Sequence, residues 1–182
     1  MKVEINGNVL ELMTGDITKQ HTDAIVNAAN GSLMGGGGVD GAIHRKAGME
    51  LLEECKKVRK ESLRGAYLPT GEAVITKGYQ LPASYVIHTV GPVWGANPEE
   101  KEKQLANCYS NSLTLAKKKE LTSISFPSIS TGVYRFPVEL AATTALQTIK
   151  EILSNDDFGT VKMILFSEED YKMYTEAFRK IK

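Results

Sequence analysis

Residues 35–48, GGGGVDGAIHRKAG, place four consecutive glycines just before an aspartate and a histidine. Asp40 and His44 are four residues apart, so a helix that begins near Val39 would carry both side chains on one face. Glycines ahead of a helix leave backbone N–H groups free to face an anion, and the helix dipole adds positive potential there. The segment therefore predicts a phosphate-binding loop with a carboxylate and an imidazole beside it.

Three simpler interpretations compete with this one. Residues 36–41 match G-x-G-x-x-G, but in dinucleotide-binding proteins that pattern starts directly after its strand, whereas residues 30–34 intervene here. A flexible linker would mix serine with glycine and would not join a strand to a helix. Asp40 alone is typical of a helix cap. Its pairing with His44 beside the glycines favours a functional site.

Polar residues also follow other predicted strands. Asn30 follows the strand predicted over residues 23–28, where its amide would bind a sugar hydroxyl or simply make a turn. Asp16 follows the strand that ends near residue 13, and its carboxylate would cap a turn or accept from an exocyclic amine. Residues 128–132 form a second loop of small residues after a strand. Because ligands of open α/β sheets bind at the carboxyl ends of strands, two such loops would hold a diphosphate from both sides.

The remaining sequence supplies the elements that must position these groups. Strands alternate with helices, which predicts a three-layer α/β/α sandwich, and the turn at residues 6–8 adds an N-terminal hairpin that makes the sheet mixed. The strands are predicted over residues 3–5, 9–13, 23–28, 72–76, 84–90, 123–126 and 161–166. The helices are predicted to begin near residues 39, 49, 98 and 137, with a last helix through Tyr171 and Phe178.

Composition limits the function classes. The chain has 182 residues, 42% of them hydrophobic, which fits one domain over residues 1–182. Lys plus Arg and Asp plus Glu both number 22, so no long-range field draws the molecule to nucleic acid or anionic lipid. The N-terminus is too charged for a signal peptide and no apolar run is long enough to cross a membrane, so we expect a cytoplasmic protein without a membrane partner. Cys55 and Cys108 lack the spacing of a zinc or redox site, so we expect no metal and no cofactor.

Five motifs together make the sequence similar to the macrodomain family, specifically to MacroD-type ADP-ribosyl hydrolases. The motifs are GDIT at 15–18, IVNAAN at 25–30, GGGGVDGAIHRKAG at 35–48, HTVGPVW at 88–94 and FPSISTGVY at 126–134. They run in family order across most of the chain. The resemblance implies a mixed, mostly parallel six-stranded sheet between helices, with ADP-ribose across the strand ends and a monomeric protein.

The resemblance also implies which residues bind the ligand. Asp16 would bind the adenine amine, Ile17 would add a backbone contact, and Phe166 would pack against the adenine. The two diphosphate loops would be Gly35, Gly36, Gly37, Gly38 and Val39 on one side, and Ser130, Thr131, Gly132, Val133 and Tyr134 on the other. Arg135, which follows the second loop, departs from the glycine that relatives commonly have there.

The implied reaction is metal-independent hydrolysis of the ester between ADP-ribose and an Asp or Glu side chain, and of O-acetyl-ADP-ribose. Asn30 would hold the distal ribose, Asp40 would lie near that ribose and the hydrolytic water, and His44 would orient Asp40. The proton of the water would pass to Asp40 or to an oxygen of the substrate diphosphate. The expected partners are ADP-ribose, ADP-ribosylated proteins and O-acetyl-ADP-ribose, with ADP-ribosylated nucleic-acid ends as a further candidate.

Two alternatives use the same cradle. One is a non-catalytic module that binds free or protein-linked ADP-ribose, since the cradle alone suffices for recognition. The other is a phosphatase that acts on ADP-ribose 1″-phosphate. The joint presence of Asn30, Asp40 and His44 favours hydrolysis over the binding module, and a phosphate-release assay separates the phosphatase.

Overall fold

The computed structural model describes residues 1–182, which form a seven-stranded sheet with helices on both faces. The strands are β1 (Lys2–Ile5), β2 (Asn8–Thr14), β3 (Ala24–Ala28), β4 (Ala73–Lys77), β5 (Tyr85–Thr89), β6 (Ser123–Phe126) and β7 (Thr160–Leu165). The helices are α1 (Gly38–Ala47), α2 (Met49–Glu61), α3 (Pro98–Lys118), α4 (Val138–Asn155) and α5 (Glu168–Ile181), and a short 3₁₀ helix covers Ile17–Lys19. No helix is long and apolar enough to cross a membrane.

The strand order is β1-β2-β7-β6-β3-β5-β4, and only the edge strands β1 and β4 are antiparallel to their neighbours. The sheet is therefore mixed and mostly parallel, as predicted. The implied number of six strands is wrong, because the N-terminal hairpin adds β1 at one edge. Asn6 and Gly7 have φ of 52° and 82°, which is the left-handed turn geometry that a tight hairpin requires.

The three predicted layers are confirmed, and each face of the sheet has its own core. The larger core includes buried side chains from α3, α4 and α5. The smaller core includes buried side chains from α1 and α2. Side chains of a strand alternate between faces, so Val26 of β3 enters the larger core while Ile25 enters the smaller one. Asn27 points to the same face as Ile25 and so faces the α1 layer.

The order of the central strands creates the opening in which a ligand can lie. After β3 the chain passes through α1, α2 and β4 to β5, which lies on one side of β3. After β6 the chain passes through α4 to β7, which lies in the opposite direction along the sheet. The loops after β3 and β6 therefore separate above neighbouring strand ends. This is the point where ligands bind in open α/β sheets.

Asn8 joins the start of β2 to the segment between α4 and β7. Its amide donates to Leu153 O at 2.9 Å and to Asp156 O at 2.8 Å, and its Oδ1 accepts from the N–H groups of Phe158 and Gly159 at 2.8 and 2.9 Å. Asn8 is 3% exposed, so water cannot replace these partners. The Asn8 side chain therefore satisfies backbone groups at the C-terminus of α4 and in the segment before β7, and it holds them against the start of β2.

We predict that Asn8→Leu lowers the free energy of unfolding by roughly 3 kcal/mol, because it leaves four backbone groups, two of them in buried residues, without partners. Urea unfolding followed by circular dichroism measures the change. Asn155→Ala is the matched control, since that exposed amide bonds only to Glu151 O in its own helix. An Asn8→Leu protein as stable as the control would contradict the prediction.

Candidate active site

A cleft of about 430 Å³ lies at the carboxyl ends of β3 and β6. It brings together most of the predicted site residues. Its lining consists of Ala28, Ala29, Asn30, Gly36, Gly37, Gly38, Val39, Asp40, Gly91, Ser128, Ile129, Ser130, Gly132, Val133 and Tyr134. A second depression, of about 510 Å³, lies beside α2, and its lining is mostly charged side chains such as Glu54, whose Oε1 accepts from Tyr79 Oη at 2.6 Å. We identify the cleft as the candidate site because most of the predicted site residues line it.

Glycines are needed in this segment for three different reasons. Gly35 and Gly38 have φ of 87° and 57°, which other residues adopt only with strain. Gly41 lies on α1 against the loop, and a Cβ there would overlap Gly36 O. Gly37 is the N-cap of α1 and a Cβ on it would meet no atom within 4 Å, so its missing side chain leaves room in the cleft.

The Asp40 carboxylate is held on two sides and is only 5% exposed. Its Oδ1 accepts a hydrogen bond from Asn27 Nδ2 at 2.8 Å inside the protein. Its Oδ2 lies 3.5 Å from Asn30 Nδ2. Because Asp40 and Asn30 both line the cleft, one oxygen is fixed inward while the other remains on the cleft side. Asp40 lies in the first turn of α1, as the simpler interpretation predicts, but α1 has no side-chain capping hydrogen bond.

Asn30 couples the carboxylate to the glycine loop. Its Nδ2 donates to Gly35 O at 2.7 Å, and its Oδ1 accepts from the backbone N–H of Ser32 at 3.2 Å and from the Ser32 hydroxyl. These bonds fix the amide orientation, because the oxygen side faces two donors. Asn30 is therefore set to present its amide group at the cleft wall beside Asp40.

A buried polar chain supports Asp40 from behind. Asn27 is fully buried, and its Nδ2 also lies 3.1 Å from His88 Nδ1, while His88 Nε2 lies 2.9 Å from Thr76 Oγ1. An amide nitrogen only donates, so Nδ1 accepts and Nε2–H donates to Thr76. Turning the Asn27 amide around would set its oxygen against the Asp40 carboxylate. His88 is the satisfied core histidine that the sequence predicts, but it is also tied to Asp40 through Asn27.

Burial sets the protonation of the groups behind Asp40. Burial, with a smaller effect of His44, lowers the pKa of His88 to about 3, so the ring is neutral at physiological pH. Burial, together with the charges of Asp40 and Glu54, raises the pKa of Cys55 to about 12. The Cys55 thiol is therefore protonated, and it is unsuited to act as a nucleophile.

His44 lies behind Asp40 on α1, as the four-residue spacing predicts. Its Nε2 is 3.4 Å from Asp40 Oδ1. The alignment does not make a hydrogen bond, and this buried nitrogen has no other partner. His44 therefore contacts the carboxylate on the side away from the cleft.

The second loop is held by bonds from its surroundings. Ser130 has φ of 69°, and its buried hydroxyl has no hydrogen-bond partner. A Cβ on Gly91 would overlap that hydroxyl, so the segment after β5 must have glycine there. Tyr134 O accepts from Trp94 N at 2.9 Å. Arg135 has φ of 59°, a backbone conformation that glycine adopts more readily than other residues.

The predicted adenine residues lie together at the ends of β2 and β7, which are neighbours in the sheet. Asp16 Oδ1 accepts from Thr18 N at 2.9 Å and from Thr18 Oγ1 at 2.6 Å, and these bonds lower the pKa of Asp16. Asp16 is thus the helix cap that one interpretation predicts, with Oδ2 left unbonded. Phe166 is 93% exposed and is not a core residue, whereas Ile17 is buried.

The cleft lining leaves out six of the predicted residues. These are Asp16, Ile17, Gly35, His44, Thr131 and Phe166. Conversely, sequence reasoning missed Asn27, Gly91 and Ala28. Asn27 had a usable pattern, because an amide within the apolar run AIVNA must find buried partners.

The depressed pKa of His88 predicts a pH-dependent stability. The pKa of His88 is about 3 in the folded protein and takes its ordinary value of 6.5 in the unfolded chain, so between these two values the unfolded chain binds more protons than the folded protein. The stability of the folded protein is therefore unaffected by this histidine above pH 6.5 and decreases as the pH falls from 6.5 toward 3. We expect the free energy of unfolding to fall by at most about 1.4 kcal/mol per pH unit more steeply for wild type than for His88→Gln. Urea unfolding at pH 7, 6, 5 and 4 measures both slopes, and equal slopes would refute the assignment.

Comparison with known proteins agrees with this geometry. Residues 26–145 match the family model described as Macro domain. A solved macrodomain of Oceanobacillus iheyensis with ADP is 58% identical, with a TM-score of 0.97 over 100% of this chain and 95% of that chain. A Trypanosoma brucei macrodomain solved in complex with ADP-ribose is 43% identical, with a TM-score of 0.82 over 92% of this chain and 68% of that chain.

A relative with a named activity is similar to nearly the whole of this chain. The ADP-ribose glycohydrolase MACROD2 of Xenopus laevis is 48% identical over 179 residues, which are 95% of this chain and 41% of that protein. The chain therefore belongs to the macrodomain family.

Proposed function

We propose that this protein binds ADP-ribose in the cleft and hydrolyses the ester that joins it to an Asp or Glu side chain, and also deacetylates O-acetyl-ADP-ribose. The observation that carries the proposal is the Asp40 carboxylate, with Oδ1 fixed by Asn27 and Oδ2 beside Asn30 on the cleft side. The ADP-ribose complex of the Trypanosoma relative and the glycohydrolase name of the Xenopus relative support the ligand and the reaction class.

The substrate lies across four strand ends in this proposal. The adenine lies by Asp16 and Phe166, whose strands β2 and β7 are adjacent. The diphosphate lies between the glycine loop and the second loop, at the N-terminus of α1, where backbone N–H groups and the helix dipole favour an anion. The distal ribose then reaches Asn30 and Asp40, since they line the same cleft.

The reaction adds one water across the ester. Oδ2 of Asp40 accepts a hydrogen bond from the water and directs its oxygen to the ester carbon. The bond between that carbon and the ribose oxygen breaks, the ribose oxygen leaves as a hydroxyl, and the products are ADP-ribose and the free carboxylic acid. The water proton passes to Asp40 or to a non-bridging diphosphate oxygen, and from there to the departing ribose oxygen. A carboxylate is a weak base at neutral pH, so orientation of the water is the larger part of the role of Asp40.

A binding module or a phosphatase needs the loops but not this carboxylate. Recognition of the diphosphate uses backbone N–H groups alone. A carboxylate beside the distal ribose would repel a 1″-phosphate. The chain of buried groups behind Asp40 therefore favours ester hydrolysis over both alternatives.

We predict that Asp40→Ala slows ester hydrolysis by at least about 100-fold, because the water loses its orienting group, while ADP-ribose binding stays measurable. Intact mass of a protein mono-ADP-ribosylated on glutamate gives the release rate, and calorimetry gives the affinity. Asp157→Ala, an exposed carboxylate at the opposite end of β7, is the control. Full turnover by Asp40→Ala would remove it from the mechanism. If wild type binds ADP-ribose but releases none from the modified protein, the result favours the non-catalytic binding module. If wild type releases phosphate from ADP-ribose 1″-phosphate, the result favours the phosphatase.

The glycine loop gives a second prediction. Gly37→Val should fold normally, because φ is −98° and open space surrounds the position, but its side chain should enter the cleft and slow hydrolysis about tenfold. Gly41→Val should instead lower the melting temperature, because its Cβ would overlap Gly36 O. Thermal unfolding and turnover of both variants test the pair. An unstable Gly37→Val protein, or a stable Gly41→Val protein, would contradict the assignment.

A further inference from the structure

Tyr67 is an exposed aromatic side chain directly beside the loop that contains Asn30. It is 63% exposed. The next residue, Leu68, donates its N–H to Gly31 O at 2.9 Å, and a Cβ on Gly31 would lie 3.3 Å from Tyr67 Cβ. A Cβ at position 31 would be closer to the tyrosine than ordinary contacts allow, so the glycine suits this close packing. Tyr67 therefore lies against the loop that begins at Asn30, the residue assigned to the distal ribose.

Arg59 completes this surface. Its guanidinium lies 4.6 Å from the centre of the Tyr67 ring, and its Nη1 is 3.4 Å from Ser32 O. A guanidinium has five N–H donors, so most of them remain for another molecule. Arg64, in the turn between Arg59 and Tyr67, is also exposed. None of the five ion pairs in the protein includes an arginine, so both cations lack a carboxylate partner.

We propose that Tyr67 and Arg59 bind the polypeptide that carries the ADP-ribosyl group, at a segment with acidic residues next to the modified side chain. This inference rests on the proposed hydrolase function. A polypeptide joined to the distal ribose must leave the cleft where the ester is cleaved, and Tyr67 lies beside the loop of Asn30, which lines that cleft. Unpaired arginines complement acidic side chains, and an exposed tyrosine stacked on an arginine is typical of residues that dominate binding energy at interfaces.

A nucleic-acid partner fits the surface less well. The net charge of the protein is zero. The depression on the other side of α2 carries Glu50, Glu53, Glu54 and Glu61, which would repel a phosphate backbone that extends along the helix. A short acidic peptide segment needs only the arginine side. The observations therefore favour a polypeptide.

The test compares two substrates that share the same ester chemistry. One is a peptide ADP-ribosylated on glutamate with aspartates on both sides, and the other is O-acetyl-ADP-ribose, which has no peptide. We expect Tyr67→Ala and Arg59→Gln to lower kcat/KM about five- to tenfold for the peptide, because they remove contacts outside the cleft. Both variants should leave kcat/KM for O-acetyl-ADP-ribose unchanged. A peptide with glutamines in place of the aspartates should lose most of the Arg59 effect.

Two variants control for nonspecific effects. Tyr67→Phe keeps the ring on Arg59 and should behave as wild type. Arg179→Gln removes an exposed cation from α5, on the other face of the sheet, and should change neither substrate. High salt should weaken the preference of wild type for the acidic peptide and leave that of Arg59→Gln unaffected.

Each other outcome counts against the proposal in a distinct way. Equal losses on both substrates would make Tyr67 a structural residue of the Asn30 loop, and no loss on either would remove it from substrate binding. A loss with an ADP-ribosylated oligonucleotide, but not with the peptide, would replace the polypeptide by nucleic acid. If wild type hydrolyses neither substrate, the hydrolase proposal fails, and the affinity of the ADP-ribosylated peptide relative to free ADP-ribose then decides whether Tyr67 contacts the peptide.

Discussion

The hydrogen bond from Asn27 to Asp40 joins the interior strand β3 to the first turn of α1, and the rest of the site depends on it. Asn27 is buried in β3 and Asp40 is 5% exposed, so a carboxylate is held inside the protein without a lysine or arginine beside it. A buried charge is expensive unless hydrogen bonds replace its water. Asn27, Asn30 and His44 surround the carboxylate, and only the cleft side is left for a ligand or a water.

This requirement dictates the shape of the glycine loop. To bring Asp40 over β3, the chain must leave the strand, turn back and begin a helix within a few residues. Gly35 and Gly38 supply the positive φ values of that turn, and Gly41 lets α1 approach the backbone of Gly36. The same turn points the N-terminus of α1 into the cleft. One backbone path therefore creates both the anion-binding loop and the position of the carboxylate.

The sequence predicts the parts of the site that depend on local geometry. The pairing of Asp40 with His44 follows from helical spacing, and the strand ends follow from the α/β pattern. The role of Asn27 does not follow, because its bonds to Asp40 and His88 join residues that are 13 and 61 positions apart. The overlap between Gly91 and Ser130 is equally non-local. Phe166 shows a limit of composition: an aromatic after a buried strand is typical of a core, yet it lies beyond the last paired residue and is exposed.

Arg135 has a backbone conformation that glycine adopts more readily than other residues. Its φ of 59° is favourable for glycine and costs another residue roughly 1 kcal/mol. The loop keeps this shape because Phe136 N donates to Ser130 O and Trp94 N donates to Tyr134 O, both at 2.9 Å. The rings of Trp94 and Phe136 also pack in a tilted arrangement, 4.7 Å between their centres, which anchors both bonds to the larger core. The conformation of the loop is therefore set by the residues that pack against it. Glycine is not required at position 135, so this position can carry a charged side chain.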